Sequence, residues 1–381
     1  MNEISDKSDY LAFETGLDRL GAELQQSLGW ADYQHLRRIE IASAICSIVG
    51  YATAWLLINP ISIFLIAQGM MGRFFMGHHI GHGGYDQIAG IPERYTRRKF
   101  GRGWRRLLDW PDWWNLDDWQ FTHNRLHHPH TQSPLDADIM RSVPGTFLHR
   151  VGRYAVLIFA TLTWKFTYYA PRMHRERAQK LKGVARDTPY EMQVADLVDL
   201  TDADVRTLWL RDYLPYIGYR FALPAAVVLP LGAWASVNIL LSLVLAELVH
   251  NAQTFGCIRP NHCAGDIPLF AARYENKREF YAQSVLGTVN YRCGGDIRDF
   301  LHGWTNYQIE HHLWPTATLR QYQLIHPAVV RLCRQCGVPY REGQVFLRYM
   351  KMSRLFVGLD RQPMIDTRSI GAGLEAEPVA A

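Results

Sequence analysis

Seven histidines in three groups carry the chemistry legible in this chain. They are His78 and His82, then His123 with His127 and His128, then the adjacent His311 and His312. His78 and His82 stand four apart, so a helix puts both rings on one face, where they can grip one metal ion. His123 and His127 repeat that spacing, and His128 turns a third ring to a neighbouring position. His311 and His312 are consecutive, and consecutive helical side chains diverge by about 100°. That divergence suits two rings serving two ions. A tetrahedral ion takes four ligands, so seven imidazoles predict two ions. Neutral imidazole suits zinc, copper, iron and nickel, and all-nitrogen ligation without nearby cysteine argues against an iron–sulfur cluster.

Long apolar segments must position these rings. Residues 41–72 and 221–246 contain no Asp, Glu, Lys or Arg. A bilayer core is crossed by about 20 apolar residues, so both segments read as membrane-inserted. Span one is expected over 41–59, a turn at Asn59-Pro60, and span two over 61–77, which returns the chain beside His78. One crossing between His128 and His311 would leave the third histidine group across the bilayer from the first two. The crossings there must be even in number, and a hairpin is the simplest solution. Its spans are expected at 217–231 and 239–255, turning near Gly232–Asn238. Tyr154–Ala170 reads as an interfacial helix; the rival reading pairs it with one crossing at 221–246. The fold class is thus an all-α integral membrane protein. Four transmembrane helices in two hairpins carry a helical cap, residues 78–213 and 256–350, that holds a two-metal site.

The turns expected on the far side contain no Lys or Arg, whereas 94–106, 172–185 and 271–278 are rich in them. The positive-inside rule then puts the histidines on the cytoplasmic face, with a bacterial inner membrane as the expected location. Residues 1–38 are polar and mixed in charge, with no secretory signal pattern, and read as an arm before the first span. Residues 39–350 form the membrane domain, and 351–381 a tail expected to be disordered at its end. The net charge is +5 over 381 residues, which fits an anionic leaflet and gives no reason to expect nucleic acid. The six cysteines outline no disulfide framework, and Cys333-x2-Cys336 lacks the second pair of a zinc ribbon.

Other polar residues are candidates for support. His250 closes an apolar run, where an ionisable group marks function, and is counted as an eighth ligand. Glu247, one turn earlier, either orients His250, reaches the metals or pairs with a neighbouring helix. His302 is a ligand or a supporting group. Asp86, Asn124, Asp136, Asp138 and Glu310 can orient rings through N–H hydrogen bonds. His79 should point off the face shared by His78 and His82, and His130 and His149 read as ordinary polar histidines. Trp110, Trp113, Trp114 and Trp119 suggest an interfacial aromatic belt.

At these residues the chain resembles the membrane fatty acid desaturase family, from about residue 50 to about 345. His78-His-Ile-Gly-His-Gly83 is similar to its first histidine box, and Trp119-Gln-Phe-Thr-His-Asn-Arg-Leu-His-His128 to its second. Asp299-Phe-Leu-His-Gly303 followed by Gln308-Ile-Glu-His-His-Leu-Trp-Pro315 resembles the front-end branch, where Gln replaces the first histidine of the third box. Gln308 is therefore a gap or a weak ligand. His79 stands where an acidic residue is common, and Trp314 where Phe is usual. No haem-binding His-Pro-Gly-Gly segment of a fused cytochrome b5 domain is found.

The resemblance implies two non-heme iron ions, O2, and a cis double bond introduced into a fatty acyl chain that is lipid-, acyl-carrier- or CoA-linked, or free. Electrons would come from a separate ferredoxin or cytochrome b5-type donor and its reductase. Hydroxylation, acetylenation and terminal-alkene formation use the same cofactor and remain open. A metal transporter needs ligands along a path inside the spans. It and a structural zinc protein are the more distant readings.

Overall fold

The structure is a computed structural model that describes residues 9–109, 115–139, 150–184 and 194–366. Trp110, Trp113, Trp114, His149 and the end of the tail, 367–381, lie outside the described residues. The described residues are mostly helical, and the strands among them are two parallel two-residue pairings, Leu269–Phe270 with Met364–Ile365 and Asn290–Tyr291 with Glu342–Gly343.

Among the described residues, three helical segments are long and apolar enough to cross a membrane: Pro60–Gly81, Ala203–Leu231 and Ala233–Asn261. The first is α3, Pro60–Gly81, preceded by α1, Tyr10–Ser27, and α2, Trp30–Ala54. The turn at Asn59-Pro60 forms as expected. Asn59 Oδ1 accepts the Ser62 N–H at 2.8 Å, and Pro60 occupies the first turn, where its missing N–H costs nothing. The segment expected as span one is the end of α2. It starts eleven residues early, at Trp30, ends at Ala54, and is not among the three candidate spans. Ile41, Ile45 and Ile48 form an exposed stripe along it, while Ser43, Ser47 and Gly50 face α3. A Cβ at Gly72 would come within 1.9 Å of Ser43 Oγ. Small residues on both sides let the two backbones approach closely.

The second hairpin turns earlier than expected. Gly232, at φ +121°, separates the helical run ending at Leu231 from α7, Ala233–Ile258, so 233–238 is already helical. Ser236 and Asn238 fix this end, bonding the carbonyls of Ala225 and of Trp55 and Leu56. The helical run before it is interrupted by π turns at Trp209–Tyr213 and Gly218–Ala222. Between the hairpins lie α4, Leu116–Phe121, α5, Arg150–Trp164, and α6, Ala170–Leu181.

Two charged residues are buried among the helices: Arg220, in the helical run before Gly232, and Lys165, in the segment read as interfacial. Both meet Glu247. Lys165 Nζ lies 2.7 Å from Glu247 Oε1 and Arg220 Nε 3.9 Å from Oε2. Tyr216 donates its hydroxyl to the same carboxylate, and Asn251 Nδ2 donates at 3.0 Å. Such a charge is tolerable among apolar helices because it is paired and hydrogen-bonded.

The stretch read as a polar arm contains α1, whose Phe13, Leu17, Leu20 and Leu24 recur at three- and four-residue spacing and are buried. They pack with α9, Leu319–Gln335, in one core. Cys333 and Cys336 are buried free thiols there, and burial pushes both thiols above their ordinary range.

Candidate metal centre

Three segments converge at one end of α3. His78 lies in its last turn and His82 caps it, the His82 N–H bonding the His78 carbonyl at 3.1 Å. Gly81 lets Trp119 of α4 lie against the helix, since a Cβ there would meet the indole at 2.4 Å. Trp119 is therefore fully buried, stacked on His123 with ring centres 4.7 Å apart, and does not belong to an interfacial belt. The third segment is α8, Gln308–Leu313, carrying His311 and His312.

The rings form two donor sets. His78, His82, His123 and His311 offer nitrogens all within 4.8 Å of one another, and so do His127, His262 and His312. His128 joins them. Its Nε2 is 3.2 Å from His123 Nε2, and its ring centre is 4.6 Å from those of both His311 and His312. The consecutive pair His311 and His312 is divided between the sets, as its divergence requires. The pair His123 and His127 is divided as well, which the four-residue spacing did not predict. Residues Thr122–His127 wind as a π turn, and the His128 N–H bonds the His123 carbonyl five residues back. That winding brings the His128 ring edge-on to His123 at 4.7 Å, while His127 lies stacked on His123 at 5.1 Å. Asp138 forms a third, overlapping group with His123 and His127.

His78 Nε2 is 3.1 Å from His311 Nε2 and 3.3 Å from His82 Nε2. Neutral imidazoles aimed at one another in this way cannot all satisfy their lone pairs. A shared ion at the usual metal–nitrogen distance of about 2.1 Å would set its ligands about 3.0–3.4 Å apart, which matches. His312 Nε2 and His262 Nδ1 are buried without a hydrogen-bond partner among the described residues. Burial, then the proximity of the other imidazoles, pushes His82, His123, His128, His311 and His312 well below the ordinary imidazole value. The rings are thus neutral and able to donate lone pairs. The donor set fits two late first-row transition-metal ions.

Hydrogen bonds on the far nitrogens fix the tautomers. His127 Nδ1 donates to Asp136 Oδ1 at 2.8 Å, with Asp138 Oδ2 at 3.5 Å. Burial opposes protonation of His127, but these two carboxylates outweigh it and hold the ring above the ordinary value. His311 Nδ1 faces the Tyr322 hydroxyl at 3.0 Å and His312 Nδ1 the Thr131 hydroxyl at 3.0 Å. Gln132, at φ +61°, donates its N–H to Asp136 Oδ2 and its side-chain amide to the His262 carbonyl. It holds the two flanks of the second set together. Asp136→Asn should therefore weaken metal retention about 10–100-fold while leaving the helical content unchanged. Competition with a chelator, followed by metal analysis and circular dichroism, measures both.

Several expected residues lie apart from the rings. His250 is buried with its ring 6.0 Å from that of Phe74 and belongs to neither set. It sits earlier on α7, where its face looks toward Phe74; the ring that joins the cluster is His262, in the turn after the helix. Glu247 pairs with Lys165 and Arg220, the reading in which it meets a neighbouring helix. His302 is partly exposed, its Nδ1 on the Arg298 carbonyl. Asp86 binds Arg97, Asn124 bonds the Gly81 carbonyl, and Glu310 holds His326, Asn290 and Tyr340, so none of the three orients a ring of the sets. Gln308 is buried, its amide oxygen without a hydrogen bond among the described residues. His79 and His130 belong to neither set.

A second buried group, Asp118, His174 and Asp212, is already neutralised by Arg106, Arg177 and Arg211 and reads as an ion-pair network.

The family model described as "Fatty acid desaturase" matches residues 23–344. The chain is 23% identical over 360 residues to the NADPH-dependent stearoyl-CoA 9-desaturase of Mycobacterium tuberculosis, covering 90% of this chain and 78% of that one. It is 24% identical over 312 residues to the Delta 8-(E)-sphingolipid desaturase of Candida albicans, covering 78% and 50% respectively. A shorter stretch of 77 residues, 19% of this chain and 18% of the other, is 44% identical to the Delta(8)-fatty-acid desaturase of Euglena gracilis. With its histidine cluster and membrane-compatible helices, the chain belongs to the fatty acid desaturase family.

Proposed function

We propose that this desaturase is an O2-dependent di-iron membrane enzyme that introduces a cis double bond into a fatty acyl chain. The observation that carries the reading is the pair of buried, all-imidazole donor sets, set beside the family. His78, His82, His123 and His311 would hold one iron and His127, His262 and His312 the other, with His128 at their junction. When bound, the two ions supply O2 activation strong enough to break an unactivated C–H bond. The protein's own part is to orient and to exclude water. Asp136, Tyr322 and Thr131 hold ring nitrogens in place, and the buried rings keep bulk solvent away.

The balance requires an outside reductant. Removing two hydrogens from the acyl chain releases two electrons and two protons. Two further electrons from a ferredoxin or cytochrome b5-type carrier, with two solvent protons, complete the reduction of O2 to two waters. A relative whose name specifies NADPH dependence and stearoyl-CoA supports a nicotinamide-fed chain and a CoA-linked substrate. The positive-inside pattern supports a cytoplasmic metal centre, and the exposed apolar stripe on α2 supports a fourth membrane-embedded helix.

Metal analysis of the purified protein, with mass spectrometry of products from a defined acyl substrate, tests the reading. About two irons per chain and a product lighter by two hydrogens are expected. About one zinc without iron would overturn it, and a product heavier by one oxygen would move it to hydroxylation.

A further inference from the structure

Two clefts on the cap join at Asp86 and Arg97. The inner one, about 150 Å³, lies between α1 and the segment 314–321 and includes His82 in its lining. The outer one, about 690 Å³, is open and lined by Arg97, Arg98, Arg102 and Arg125. Its acidic lining residues are Asp86, already 3.4 Å from Arg97, and Glu93. Arg102 is paired with Asp117 at 2.5 Å. Arg98 is 81% exposed and meets Glu93 only at 3.9 Å, and Arg125 is exposed on the turn that carries His123 and His127. The surface is therefore net positive and shares Asp86 and Arg97 with the inner cleft, which reaches His82 of the first donor set.

We propose that this basic surface docks a small acidic one-electron carrier protein, with its redox centre at the inner cleft that His82 lines. The proposal rests on the di-iron reading and adds where its electrons enter. Two features favour a protein partner over the lipid leaflet. None of the residues lining the outer cleft is apolar, whereas Trp104, Leu107 and Leu108, a few residues further on, are the exposed apolar side chains suited to lipid. The inner cleft also has a metal-binding ring in its lining, which a headgroup contact would not need. Each docking delivers one electron and releases the oxidised carrier, so one turnover takes two encounters. Complementary charge speeds such encounters, and salt slows them.

The test uses iron-loaded full-length protein in phosphatidylcholine nanodiscs, with a reduced acidic [2Fe–2S] ferredoxin as probe. Its oxidation is followed by stopped flow at rising ionic strength. The Arg98→Glu/Arg125→Glu variant should react at least about tenfold more slowly and lose most of its salt dependence. Arg98→Glu alone should show a smaller defect of the same kind. Arg331→Glu/Arg334→Glu, exposed on α9, should match wild type. All variants should be reduced at the wild-type rate by methyl viologen radical, which needs no docking. Wild-type ferredoxin kinetics in the double variant would overturn the proposal. So would a wild-type protein that viologen reduces and ferredoxin does not at any salt. A defect seen only when the nanodiscs contain phosphatidylglycerol would assign the surface to anionic lipid and overturn it too. Failure of the di-iron reading would show separately, as absence of iron or of viologen-driven acyl oxidation.

Discussion

His262→Ala should cost the protein metal and activity, while His250→Ala should keep its metal. Each residue is a single histidine near the end of α7, and each is buried. Only His262 brings a nitrogen to the set with His127 and His312, its ring centre 4.9 Å from each of theirs. Removing one of three rings should reduce occupancy of that position by more than the roughly 10–100-fold that follows loss of a ring's hydrogen-bond partner. His250→Ala should show its effect as a cavity in the packing against Phe74, seen in the melting temperature. Metal per folded chain, measured for both variants, checks this. Equal metal loss in both would return His250 to the ligand set.

Glu247→Ala should be among the most destabilising substitutions in the chain. The carboxylate is shared by Lys165, Arg220, Tyr216 and Asn251. Its removal leaves Lys165 and Arg220 without it in a buried setting, at a cost of about 3–5 kcal/mol. Lys165→Met should cost less, because Arg220 still faces the carboxylate. Melting temperatures in one detergent measure the order. A Glu247→Ala protein that melts like wild type but lacks metal would show the carboxylate to be acting on the metal site.

The histidine boxes were legible because helical periodicity writes them into the chain at fixed spacing, and both inter-helix turns were marked by Asn59-Pro60 and Gly232. His262 was not legible. It stands alone in a short turn after Pro260, without a partner at helical spacing, and only the convergence of three distant segments gives it company. His250 attracted attention for the opposite reason: it ends an apolar run, a position that signals function on average but says nothing of direction. The ion pair of Lys165 with Glu247 joins residues 82 positions apart, so nothing in the sequence around either one points to the other. The arm before the first span looked merely polar, because ten of the eighteen residues of α1 are exposed while Phe13, Leu17, Leu20 and Leu24 carry its packing.

The π turn at Thr122–His127 has a consequence for how this centre tolerates change. A helix has a phase, and every side chain beyond a given point inherits it. The wider winding of this turn sets the phase of everything after His123, and it lays both His127 and His128 against His123, with ring centres 5.1 and 4.7 Å away. The arrangement of the two donor sets is thus stored partly as winding, in a backbone feature that no single side chain carries. If the same residues tightened to ordinary helical winding, the box would keep its three histidines but turn His127 and His128 to different positions against the two donor sets.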